Sequence, residues 1–107
     1  MSVPMTTRAD MLKEFLAQNP NDAFARYGLA MEYSNAGDTE AALREFAALL
    51  HANPDYTAGY FMAAQALARA GRNDEAKQRL KDGIASADRT GNQHAKSEMS
   101  AMLEELG

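Results

Sequence analysis

One interval governs this chain. Pro20 is answered by Pro54, Gly37 by Gly71, Thr39 by Asn73 and Ala42 by Ala76, each 34 residues later. The apolar positions keep the same step: Leu12, Phe46 and Leu80; Leu16, Leu50 and Ile84; Tyr27 and Phe61; Ala30 and Ala64; Tyr33 and Leu67. A fixed period of this size means stacked copies of one supersecondary unit, each burying its apolar side on the next. Whatever the unit is, the chain repeats it and does not wrap a single closed core.

The unit is a helical pair. Alanine, leucine, methionine, glutamate and the long basic residues dominate, all good helix formers. Valine and isoleucine occur once each, so strands lack their usual material. Pro4 precedes the first helical run, and Pro20 and Pro54 fall where helices would be separated. In SNAGDTEAALREF (34–46), and in its near copy RAGRNDEAKQRL (69–80), a glycine follows an apolar-periodic run, as helix-terminating glycines do. Thr39 and Asn73 stand two residues on as expected N-caps, each followed by an acid, Glu40 or Asp74, at the positive helix end. Each glycine therefore ends one helix and opens another across a very short turn, giving antiparallel pairs.

These residues carry a resemblance. In the tetratricopeptide repeat (TPR), a pair of helices repeats every 34 residues. Its first helix carries an aromatic, then leucine–glycine, then tyrosine; its second carries an alanine, an aromatic and a closing proline. The first copy here has Leu29-Ala30, Tyr33, Ala42, Phe46 and Pro54; the second has Tyr60, Ala63-Ala64, Leu67, Ala76 and Leu80. Arg26 stands at the large aromatic position, Ala30 replaces the glycine, and Asp88 replaces the second closing proline. The chain thus resembles a small bacterial-type member of the family. The resemblance implies an all-α fold, a short right-handed superhelix of stacked antiparallel pairs with about six helices. It divides residues 1–107 as one domain: a half-repeat helix at 6–18, repeats at 21–54 and 55–88, and a closing helix at 92–106. The first of these expects an apolar stripe of Met11, Leu12, Phe15 and Leu16, with Thr7 and Asp10 as a capping box. The last expects Ala95, Met99, Met102, Leu103 and Leu106, in phase with the family after one inserted residue. Glu98, Glu104 and Glu105 then form its wet side. The polar stretch ADRTGNQ at 87–93 reads as the joint before it, and Gly83 as a site of close packing.

The family's first helices line a concave groove. Carried over by motif, the groove positions are Phe24, Tyr27, Met31 and Ser34, then Ala58, Phe61, Gln65 and Ala68, with Met62 and Arg69 beside them. Residues 56–68 hold no charged side chain, whereas 73–89 carry eight. An aromatic, methionine-rich face of this kind suits an apolar helix or an extended peptide. The expected groove set is Phe24, Tyr27, Met31, Phe61, Met62, Gln65 and Arg69, and the expected partner is another protein or peptide. In the competing reading the inner face closes on a second copy as a homodimer. Phe24, Tyr27 and Phe61 could also pack on one another or beneath the terminal helices. Family members that clamp acidic C-terminal peptides of chaperones use asparagine and lysine donors. Met31 and Met62 stand where asparagine is wanted, which speaks against that clamp.

Other classes find little support. The net charge of −4 disfavours nucleic acid as a partner. No apolar run approaches a membrane span, and MSVPMTTRADMLKEF lacks the basic and apolar segments of a signal peptide. The chain has no cysteine, and 107 residues suffice for one domain, so the expected setting is the cytoplasm. His51 and His94 have no second ligand at helical spacing, and no glycine-rich phosphate loop occurs. Adjacent acids such as Glu104-Glu105 and Asp74-Glu75 do not converge on one point. No enzyme, cofactor or metal is expected.

Overall fold

A computed structural model describes residues 7–107. These residues form six helices: α1 (Arg8–Gln18), α2 (Ala23–Asn35), α3 (Thr39–Ala52), α4 (Thr57–Arg69), α5 (Asn73–Thr90) and α6 (Gln93–Leu106). Each packs on its neighbours in sequence, and α2, α4 and α6 also touch one another in order. The backbones of the helices between them, α1, α3 and α5, do not approach one another closely. The result is an elongated stack with extents of 53 × 28 × 20 Å.

Small residues set the crossings. Ala30, Ala42, Ala64 and Ala76 are wholly inaccessible to water, and Phe46 and Leu80 fill the space between neighbouring pairs. Gly83 meets the closest approach. A Cβ there would lie 2.6 Å from Tyr60 Cβ and closer still to the Met99 sulfur. Buried hydroxyls pin α4 to α5, with Thr57 Oγ1 and Ser86 Oγ 2.8 Å apart.

The short turns are built alike. Gly37 and Gly71 adopt φ of 81° and 77°. After each, a backbone N–H reaches back to close the helix: Asp38 to Tyr33 O at 2.9 Å and Arg72 to Leu67 O at 2.9 Å. This is the Schellman arrangement, which satisfies the last carbonyls of one helix. Asn92 N–H donates to Ala87 O in the same way at 2.8 Å. In each turn the residue closing one helix also caps the next. The caps are therefore Asp38 and Arg72, one residue before the expected Thr39 and Asn73. Asp38 Oδ1 accepts from Ala41 N–H at 3.3 Å. Arg72 makes no side-chain cap; its guanidinium bonds Glu75 and Glu40 instead. At α1, Thr7 Oγ1 accepts from Asp10 N–H at 3.0 Å, while the Asp10 carboxylate lies toward Lys13.

Two further expectations are corrected. Without a closing proline, α5 runs 18 residues against 14 for α3, so 87–90 are helix and the joint shrinks to Gly91-Asn92. The starts of α2 and α4 are 34 residues apart, but those of α4 and α6 are 36 apart, two extra residues where one was expected. Asp88, on the extended α5, pairs with Lys96 at 2.7 Å and ties α6 down. In α1, Leu16 is buried and Leu12 partly so, whereas Met11 and Phe15 stay exposed.

The Arg26 departure has a clear account. Tyr60 donates its hydroxyl to Pro54 O at 2.7 Å. One period earlier, Arg26 Nη2 donates to Pro20 O at 3.1 Å, while Nη1 pairs with Glu45 at 2.7 Å. Chemically different side chains hold the equivalent carbonyl in both repeats.

Candidate protein-binding face

The concave side is made by α2, α4 and α6, and its residues divide into three groups. Toward α2, Tyr27 lies under Tyr56, with ring centroids 5.3 Å apart, and meets Phe46 edge-on at 6.4 Å. Met31 and Met62 pack partly buried on the same cluster. Burial pushes the Tyr27 phenol above its usual range. Burial does the same to Tyr56, aided by the nearby Tyr27 and Asp22.

Toward α6 the face is more open. Phe61, Gln65, Glu98, Ala101, Met102 and Glu105 line a shallow depression of about 460 Å³. Phe61 and Met102 are partly buried on the core cluster shared by α4, α5 and α6. The third group lies at the ends. Phe24 opens α2 and is 75% exposed, while Arg69 closes α4 and bonds Ser34 Oγ on α2.

Phe24, Tyr27 and Phe61 do not form one aromatic cluster. Tyr27 is covered by Tyr56, Phe61 leans on α6, and Phe24 faces solvent. Reading the sequence missed Tyr56, because its counterpart one period earlier is Asp22, an ordinary cap residue. Tyr56 sits at the N-cap of α4 but makes no side-chain cap; its ring packs on Tyr27 instead. It also missed the α6 contribution. Glu98 and Glu105 are exposed, as expected of a wet side, yet they edge the concave depression.

The opposite side offers a second hollow. Because the backbones of α3 and α5 stand apart, a crevice of about 350 Å³ opens between them over Phe46, Ala63 and Leu67. Its rim mixes Arg72 and Arg79 with Glu75 and Asp82.

Stacked antiparallel helical pairs with one set of helices lining an open face define a helical-repeat solenoid. Two tetratricopeptide repeat profiles match the chain, over residues 35–98 and 5–60. The chain is 33% identical over 95 residues to TPR repeat-containing protein PA0015 of Pseudomonas aeruginosa, covering 89% of this chain and 90% of that one. The crystal structure of a tetratricopeptide repeat domain protein from Salinibacter ruber superposes with a TM-score of 0.74 at 30% identity, covering 79% of this chain and 94% of that one. The solution structure of protein BPP2914 from Bordetella parapertussis gives 0.82 at 26% identity, over 95% and 89%. This chain belongs to the tetratricopeptide repeat family. Members of that family are in general non-catalytic modules for protein–protein interaction. No helix among the described residues is long and apolar enough to cross a membrane.

Proposed function

We propose that this chain is a non-catalytic cytoplasmic interaction module that holds a peptide or helix of another protein against its concave face. The observation that carries the reading is the character of α4. Residues 56–68 have no charged side chain, yet Phe61, Met62 and Gln65 keep part of their surface open. A helix this apolar is covered on its far side by its own fold and on its near side by a partner. Phe24, Tyr27, Met31, Phe61 and Met62 would give affinity, and Gln65 and Arg69 register. Repeats 21–54 and 55–88 are the working units, flanked by the helices at 6–18 and 92–106.

The test is a tagged capture from native lysate with wild type beside a Phe24→Ala/Phe61→Ala variant. Tyr27 is left intact, since its contacts with Tyr56 and Phe46 belong to the core. A partner held by wild type and lost by the variant, with circular dichroism unchanged, supports the groove. A partner that persists with the variant refutes it.

Self-association is the second reading, and the observation for it lies at the α1 end, not along the whole inner face. Met11, Phe15 and Phe24 are exposed by 54%, 46% and 75%. Leu49, one period after Phe15, is fully buried beneath α2 and α4. Phe15 has no equivalent cover, because no first-type helix packs on the outer side of α1 among the described residues. Sedimentation equilibrium on wild type and Phe15→Glu decides this reading. A dimer abolished by the change supports it, and a concentration-independent monomer mass for wild type ends it.

A further inference from the structure

The depression between α4 and α6 has a floor and a rim of different chemistry. Phe61, Ala101 and Met102 supply an apolar floor, and Glu98 and Glu105 stand on the α6 side. Little on this face offsets those carboxylates. Lys96 is turned toward α5, where it pairs with Asp88. Arg69 keeps its charge but reaches the other way, to Ser34 on α2, and does not line the depression. His94 Nε2 lies 2.8 Å from Glu98 Oε1, a contact between residues one turn apart on α6 itself. Neither α2 nor α4 presents an acid or base among its other groove positions. The face is thus apolar along its length and negative along one edge.

We infer that the concave face takes a basic partner segment, in which one apolar side chain seats between Phe61 and Met102 and two flanking lysines or arginines meet Glu98 and Glu105. This rests on the concave-face reading and narrows it to one class of partner. Glu98 and Glu105 are seven residues apart on one helix, which is about 10 Å along its axis. A matching partner carries its basic residues about seven apart if helical and about three apart if extended. An acidic segment lying over the α4–α6 depression would meet two carboxylates, with Arg69 directed away toward α2, and like charges at an interface select against the wrong partner.

The test is selection of a random peptide phage library on the full chain, followed by fluorescence anisotropy of the selected peptides. Wild type is compared with Glu98→Gln/Glu105→Gln, Glu104→Gln and Phe61→Ala, each checked by circular dichroism. The expected result is enrichment of an apolar residue flanked by lysine or arginine. Binding should weaken roughly tenfold in the double variant, lose much of its salt dependence there, and change little in Glu104→Gln. Enrichment of apolar peptides with no basic bias, or equal binding to the double variant, overturns the inference and leaves the groove intact. If no peptide is enriched, or the selected peptides bind Phe61→Ala as tightly, the groove falls with it.

Discussion

At the scale of single residues, the fold depends on where volume is refused. Gly83 sits mid-helix, where glycine costs about 0.5–1 kcal/mol relative to alanine in propensity. It stays because Tyr60 and Met99 occupy the space a methyl would need. Gly83→Ala is expected to destabilise the protein by about 1–3 kcal/mol despite the better propensity, read as a lowered urea midpoint. The tyrosines give a second expectation. Burial raises the phenols of Tyr27, Tyr56 and Tyr60, so the folded chain keeps its phenolic protons to higher pH than the unfolded chain. Their contribution is complete below the usual tyrosine range near pH 10, and it is lost as pH rises through the higher folded values. Urea midpoints taken from pH 9 upward should fall, and Tyr27→Phe should fall less steeply. The Gly83 contact was readable from its place mid-helix. The Arg26–Glu45 pair was not, since it joins residues 19 apart on facing helices and needs the crossing to be known.

At the scale of elements, the glycines announce the turns and the caps follow from the turn's closure. Reading the cap by residue type selects Thr39 and Asn73, because threonine and asparagine are good acceptors. The closing hydrogen bond selects the residue directly after the glycine, whatever its type. Asp38 happens to be an acceptor and Arg72 does not. Asp38→Ala should therefore cost about 0.5–2 kcal/mol. Arg72→Ala, which removes only exposed ion pairs, should cost under about 1 kcal/mol. Thermal melts of the two variants side by side check the order. The helices of both repeats were legible because their apolar positions recur in step. The offset of α6 was less so, since the missing proline signals that α5 can continue but not how far.

At the scale of the whole molecule, stability runs along the stack from neighbour to neighbour. Among the described residues α1 buries only Leu16 and α6 only Met99, whereas α3, α4 and α5 each bury five or more residues. Amide exchange should be fastest in α1 and α6 and slowest in α3 to α5; equal protection throughout would contradict a nearest-neighbour stack. Architecture was legible here because a period states it directly. The division of the concave face was not, because Tyr56 and the α6 glutamates reach it from outside the repeated positions.

The gap between α3 and α5 has a mechanical consequence. Across the back of the stack the exposed Arg72–Glu40 pair spans the mouth of the gap, and α4 is the helix on which both α3 and α5 are seated, so the molecule resembles a leaf spring clamped along one line. Under the proposed function, small flexing about that line would narrow or spread the front face while leaving the helix pairs intact, and so fit the grip to guests of different girth.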